Sequence, residues 1–169
     1  MKQAISVRRF SPADWPLYKS LRLRSLEESP DAFGSTLELE CGRADAAWAE
    51  RLHNAALSGR DCALFAQIEG VPSGLVWAKA DASDTGCVNL FQLWVTPEAR
   101  GRGVGDALLH AAIDWARQYG AGLVKLGATC GDTAAIRLYQ RAGFVEVGDR
   151  ELLRSGNALM AQNMVLALA

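Results

Sequence analysis

The chain has 169 residues, half of them apolar and 22% charged, with 18 basic residues against 19 acidic ones and a formal charge of −1. That length suits one domain with a substantial core, and the even charge balance lacks the basic excess of a nucleic-acid binder, so any anion site is local. The run from Met1 to Arg9 has no apolar segment behind its charges and no stretch is long and apolar enough to span a bilayer; Cys41, Cys62, Cys87 and Cys130 form no C-x-x-C pair, which argues against zinc and against a disulfide framework. The expectation is a cytoplasmic, reduced protein, with no signal peptide, no metal, no nucleic acid and no membrane partner.

In chain order, Ile5 to Phe10 reads as a strand with Val7 inward and Ile5 a second candidate for that face. Ser11, Pro12 and Asp14 start a helix in a pattern resembling a capping box. Its apolar stripe is Leu17, Leu21 and then Leu23 or Leu26, and Ser29-Pro30-Asp31 ends it near Glu28. A second helix spans Asp45 to Leu57, with Trp48, Leu52 and Ala56 at helical spacing and Ser58-Gly59 closing it. Cys62 to Glu69 and Gly74 to Lys79 flank the turn Gly70-Val71-Pro72-Ser73 as an antiparallel hairpin. After a polar loop from Asp81 to Gly86, Val88 to Val95 forms an apolar strand.

A helix follows with Val104, Leu108, Ala111, Trp115 and Tyr119 on one face and Gly120 at its stop. Leu123 to Thr129 is a buried strand, Asp132 to Ala142 a helix ended by Gly143, and Phe144 to Val147 and Ala161 to Leu168 the last strands, separated by a polar loop from Arg154 to Asn157. The order implies one mixed α/β domain over residues 1–169.

The most informative segment joins the apolar strand to the helix after it: Leu93-Trp94-Val95-Thr96-Pro97-Glu98-Ala99-Arg100-Gly101-Arg102-Gly103-Val104-Gly105-Asp106. A helix N-terminus presents unpaired amides and partial positive charge, and glycines let that backbone approach a ligand closely. A phosphate suits such a place, and Arg100 and Arg102 add charge-assisted donors. No Gly-Lys-Ser or Gly-Lys-Thr follows, so the loop is not a nucleotide triphosphate P-loop. The dinucleotide fingerprint fails too, because its third glycine would fall on Asp106.

The run Arg100-x-x-Gly103-x-Gly105 after an apolar strand resembles the acetyl-CoA signature of the GNAT superfamily of N-acetyltransferases. One strand later, Asp132-x-x-Ala135-x-x-Leu138-Tyr139-x-x-x-Gly143-Phe144 resembles the family's following helix. The resemblance covers roughly residues 89–147. It implies a GNAT-like fold: a mixed, mostly antiparallel sheet of six to seven strands flanked by about four helices.

The activity implied is transfer of an acetyl group from acetyl-CoA to an amine of a small molecule or peptide, by direct attack in a ternary complex. The loop residues Arg100, Gly101, Arg102, Gly103, Val104, Gly105 and Asp106 would hold the pyrophosphate. Backbone groups of Leu93, Trp94 and Val95 would face the pantetheine, one amide standing by the thioester oxygen. Ala135 and Arg141 would reach the nucleotide end. Asp132 stands where the family has asparagine and cannot donate an N–H.

Tyr139 is the candidate general acid for the departing thiolate, although periodicity alone reads it as a buried aromatic beside Ile136. Trp94 likewise reads equally as sheet packing. The base is open: Asn89 and Gln92 occupy the strand positions where relatives carry glutamate, leaving Glu38, Glu40, Asp81, Asp84 or a water relay. His53 and His110 lack partners at ligand or triad spacing, and Cys130 reads as a small buried residue. Arg22, Arg24, Phe33 and Ser35 are candidates for the acceptor pocket, with polyamine-like, amino-acid and peptide amines all open. A non-catalytic acyl-CoA-binding module is the alternative reading. A homodimer is a candidate assembly, with the last strand as its pairing edge.

Overall fold

A computed structural model describes residues 3–156 and 158–169; Met1, Lys2 and Asn157, which the sequence reading includes in its N-terminal run and last loop, lie outside the described residues. The elements are β1 (Ile5–Arg9), α1 (Trp15–Glu28), α2 (Leu37–Cys41), α3 (Asp45–Ser58), β2 (Asp61–Ile68), β3 (Val71–Ala80), β4 (Cys87–Val95), α4 (Val104–Tyr119), β5 (Leu123–Thr129), α5 (Thr133–Arg141), β6 (Val145–Leu152) and β7 (Met160–Ala167). They build one seven-stranded sheet in the order β1-β2-β3-β4-β5-β7-β6. Every pairing is antiparallel except β4 with β5.

Each face of the sheet carries its own core. On one side, α1 and α3 cover an aromatic cluster of Phe10, Tyr18, Trp48, Phe65 and Trp77, with ring centroids 4.7 to 5.6 Å apart. The chain enters α1 through a tight turn at Pro12–Asp14, where the Asp14 carboxylate accepts from the Ser11 amide at 2.8 Å and its hydroxyl at 3.0 Å. The buried face of α1 is Tyr18, Leu21, Arg22, Ser25 and Leu26, so Leu17 and Leu23 only flank the core. In α3, Ala55 takes the buried place expected for Ala56, and Gly59 closes the helix at φ 66°.

On the other side, α4 buries Val104, Leu108, Leu109, Ala112, Ile113 and Ala116. The expected stripe through Ala111, Trp115 and Tyr119 sits at the margin of this core. There Trp115 and Tyr119 stack on each other at 5.2 Å, both only partly buried against it.

Four further differences have local causes. Helix α2 is too short to show periodicity and forms on a Thr36 cap that accepts from the Leu39 amide at 3.3 Å. The β2–β3 turn is Glu69-Gly70, both left-handed at φ 50° and 81°, so β3 begins at Val71 rather than Gly74. Strand β6 extends to Leu152; it is exposed along its whole length and shows no apolar alternation. The last strand, β7, is not an edge: it lies between β5 and β6, and β6 is the edge instead.

The feature that positions the site is the end of the β4–β5 pairing. The two strands pair only through Cys87↔Leu123, Val88↔Val124 and Asn89↔Lys125, and beyond that they diverge. On its other edge, β4 holds β3 with Trp77↔Phe91 and then Leu75↔Trp94, which leaves one extra residue on β4. Gln92 lies in that bulge at φ 63°, a left-handed conformation costly for a residue with a Cβ. Its side chain is held by Tyr18, whose hydroxyl donates to Oε1 at 2.9 Å.

Gly74 packs against the bulge: a Cβ there would stand 2.6 Å from the Trp94 carbonyl oxygen, which is backbone and cannot swing aside. Gly74→Ala should therefore destabilise the fold by about 1–3 kcal/mol, the ordinary cost of overpacking. Thermal denaturation checks this, with a fall of about 2–4 °C expected per kcal/mol at this chain length.

Candidate functional site

The diverging strands open a cleft of about 910 Å³, within the range of small-molecule sites. Its walls are the end of β4 (Leu93, Trp94, Val95), the loop and first turn of α4 (Arg100, Gly101, Gly103, Val104, Gly105, Asp106), and α5 from its cap Asp132 through Ala135 to Tyr139 and Arg141 in its last turn. Thirteen of the fourteen site residues expected from sequence thus line one cavity. Arg102 is exposed and does not.

The three glycines serve different purposes. Gly101 and Gly103 are left-handed at φ 76° and 90°, with Gly103 the cap residue of α4. Gly105 has no such requirement, but a Cβ there would stand 3.2 Å from Leu138 of α5, so it sets how closely α4 and α5 pack. The helical ladder of α4 begins with the Ala107 amide donating to the Gly103 carbonyl at 3.0 Å. The amides of Val104, Gly105 and Asp106 precede that bond and have no carbonyl within the helix.

Arg100 occupies a more committed position than sequence suggests. Its guanidinium grips Glu28 at the end of α1 in a two-pronged ion pair of 2.6 and 3.1 Å, and its Nε donates to the Val95 carbonyl at 3.2 Å. Glu28 also accepts from Trp94 Nε1 at 2.9 Å and from the Ser29 hydroxyl. The hydrogen bond from Arg100 leads the effects that lower its pKa to about 2. This places Arg100 as a clamp between loop, strand and helix. The Trp94 side chain is buried in the aromatic-side core, and Arg141 approaches Asp106 at 3.5 Å. Asp132 caps α5, its Oδ1 accepting from the Ala135 amide at 3.3 Å. An aspartate caps as well as an asparagine, which accounts for its standing at this position.

A second cleft of about 530 Å³ lies across the splay, lined by Phe33, Asn89, Phe91, Gln92, Lys125, Asn163 and neighbouring apolar residues. Leu93, Tyr139 and Ala32 line both clefts and so mark where they meet. Tyr139 is 8% exposed, edge-on to Phe144 at a centroid distance of 6.0 Å, and its hydroxyl has no hydrogen-bond partner among the described residues. Burial, reinforced by the nearby Asp132 charge, pushes its phenol well above the usual tyrosine value.

None of the carboxylates weighed as a base lines either cleft. Glu38 and Asp84 are exposed. Glu40 is buried, which opposes its charge. Hydrogen bonds from Arg43 (2.7 Å) and Ser35 (3.0 Å), with Arg51 at 3.5 Å, outweigh that and hold its pKa below normal. Asp81 is also held low, first by Asn89 Nδ2 donating at 2.8 Å and then by Ser83.

Of the acceptor candidates, Phe33 lines the second cleft and Arg22 stacks on its ring at 4.7 Å. Ser35 turns to Glu40, and Arg24 pairs with Glu98 at 2.8 Å. The exposed rings of His53 and His110 line neither cleft, while Cys130 lines the first.

Sequence reasoning missed the contacts that hold the segment after α1 over the junction. Thr129 donates to the Asp31 carbonyl at 2.8 Å, and Arg154 to the carbonyls of Pro30 and Phe33 at 3.1 and 2.7 Å. These partners lie about a hundred or more residues apart, and no local pattern announces them. Among the described residues no helix is long and apolar enough to cross a membrane, and no group of three His, Cys, Asp or Glu side chains could hold a metal ion.

Fold and site together define an α/β protein with a splayed sheet, an anion-ready helix N-terminus on one side of the gap and a second pocket on the other. The chain belongs to the acetyltransferase (GNAT) family, whose sequence model matches residues 23–144. It is 32% identical over 85 residues to an uncharacterized N-acetyltransferase of Methanocaldococcus jannaschii, covering 47% of this chain and 37% of that one. It is 38% identical over 78 residues to the mycothiol acetyltransferase of Mycobacterium avium, covering 42% and 25%. The chain thus spans well under half the length of these curated relatives. Its fold matches that of yncA from Salmonella typhimurium, solved with its cofactor acetyl-CoA, at a TM-score of 0.81 and 20% identity, over 98% of this chain and 95% of that one.

Gly103→Val tests the loop. A β-branched residue is strained at φ 90° by an amount on the order of 1–2 kcal/mol, so the loop must change conformation to accept it. Affinity for acetyl-CoA should fall at least tenfold by titration calorimetry while far-UV circular dichroism stays the same. Unchanged affinity would remove this loop from the binding site.

Proposed function

We propose that the chain is an acetyl-CoA-dependent N-acetyltransferase acting on a small-molecule or peptide amine by direct attack in a ternary complex. The observation that carries this reading is the meeting of two clefts at Leu93 and Tyr139: a thioester reaching the junction from one side is open to an amine arriving from the other. The first cleft fits the cofactor's chemistry. Loop amides and the α4 N-terminus suit a pyrophosphate, and the β4 edge, which has left β5 by Leu90, offers its backbone to an extended amide arm. The four cysteines are free thiols, which suits work in the cytoplasm. A homodimer would pair through β6, the exposed edge, where Val145 and Leu152 are 60% and 59% exposed.

In the reaction the amine nitrogen forms a bond to the acetyl carbonyl carbon and the bond to sulfur breaks. An amide of the Leu93–Val95 segment donates to the developing oxyanion. Tyr139 then donates to the sulfur as it gains charge, and the dry setting that raises its pKa also discourages a bare thiolate. Among the described residues no carboxylate lines the second cleft, so the ammonium proton leaves through water. An alkylamine with a pKa of about 10.4 therefore reacts faster as pH rises. Tyr139 does not cut this off: an acid works while protonated, and its raised pKa keeps it protonated past the usual tyrosine titration.

Tyr139→Phe keeps the ring and most of its packing, so folding should survive. With the donor gone, kcat should fall about a hundredfold or more, with little change in KM for acetyl-CoA, measured by release of the CoA thiol. A near-normal kcat would make Tyr139 a packing residue. Acetyl-CoA binding with no turnover on any amine would favour a non-catalytic acyl-CoA module.

A further inference from the structure

From the charges around the second cleft, we infer that the acceptor amine carries an anionic group, which Lys125 receives. The inference rests on the acetyl-transfer reading and narrows its substrate class. Among the described residues, Lys125 is the one charged side chain lining that 530 Å³ cavity; its polar companions Asn89, Gln92 and Asn163 are neutral. Lys125 is half-buried, and its side chain makes no ion pair or hydrogen bond among the described residues. The strand pairing fixes its place, with Asn89 beside it on β4 and Val165 on β7, at the end of the cleft where the strands are still joined. The reaction point at Leu93 and Tyr139 lies at the other end. A single acceptor can thus present its amine to one and its anion to the other.

The surroundings reinforce the sign of the field. Phe33, which walls the cleft, is backed by the guanidinium of Arg22 at 4.7 Å, and its carbonyl accepts from Arg154 at 2.7 Å. Arg22 is 4% exposed, and its Nε is buried without a hydrogen-bond partner. Two carboxylates on this side of the sheet are already engaged: Glu40 by Arg43 and Arg51, Asp81 by Asn89 and its own loop. A polyamine would bring its further cations beside Lys125, where no carboxylate among the described residues lines the cleft to receive them. An amine with a carboxylate finds a counter-charge, in a setting where exposure to water is reduced and the pairing is correspondingly stronger.

The test is an acceptor panel read by CoA thiol release. It comprises the twenty L-amino acids, 4-aminobutyrate and 6-aminohexanoate as longer-spaced carboxylates, the decarboxylated or amidated counterpart of each, and spermidine. It is run on the wild type, Lys125→Met and Lys125→Glu, with thermal unfolding in acetyl-CoA measured alongside. The carboxylated member of the best pair should exceed its counterpart at least tenfold in kcat/KM. Whether the α-amino or the longer-spaced acids lead reports the distance between amine and anion.

Lys125→Met, close in length and shape, should raise KM for that acceptor about tenfold and bring the pair's ratio near one, with KM for acetyl-CoA within twofold. Lys125→Glu should turn preference toward spermidine. The inference is overturned if spermidine or the uncharged amines lead, if no carboxylated amine is acetylated, or if the ratio survives Lys125→Met. If acetyl-CoA neither shifts the unfolding temperature nor is consumed, the acetyl-transfer reading fails and takes the inference with it. A shift or transfer without preference for anionic amines overturns the inference alone.

Discussion

The structure depends on one interrupted pairing. Strands β4 and β5 share three residue pairs and then separate, leaving backbone groups of both strands without the neighbour a continued sheet would supply. Such groups are costly to bury unpaired, so a gap of this kind persists only where other contacts hold it open. The bulge at Gln92 bends β4 away, the Tyr18 hydroxyl fixes the bulged side chain, and the bare face of Gly74 lets β3 follow the bend. Tyr18 belongs to the aromatic core under α1. A core that looks purely structural thereby sets the shape of the cleft.

Electrostatics divides the gap into two unlike halves. On the α4 side, the ion pair between Glu28 and Arg100 joins α1, the end of β4 and the glycine loop. With its guanidinium occupied, the loop presents mainly amides and the positive end of α4 to an incoming anion. On the other side, Lys125, whose side chain has no ion-pair partner among the described residues, sits among amides and apolar residues. Tyr139, uncharged and buried, stands where the halves meet. A neutral side chain at that point changes neither pocket's sign.

Much of this was legible in the chain, because the informative contacts are local. The strand, glycine loop and helix from Leu93 to Asp106 are contiguous, and so is the turn-and-helix segment around Tyr139. What escaped depends on contacts between distant segments. Glu28 meets Arg100 across 72 residues, and Thr129 reaches Asp31 across 98. Glu40 read as a free carboxylate because its arginine partners are not visible as such in sequence. Strand β6 lacks alternation because both its faces meet solvent, and β7 read as an edge because position in the chain does not give position in the sheet. Asp132 departed from the family's pattern yet keeps the cap that the start of α5 requires.

The central claim is that the cofactor lies in the gap between the diverging strands, with its phosphates at the start of α4. Backbone amide NMR during titration with CoA tests that claim residue by residue. The account predicts large shifts at Leu93, Val95 and the amides from Gly101 to Asp106, with little change where β4 and β5 remain paired, at Val88 and Val124. Shifts confined to the paired end or to the β6 edge, with the α4 loop silent, would contradict it.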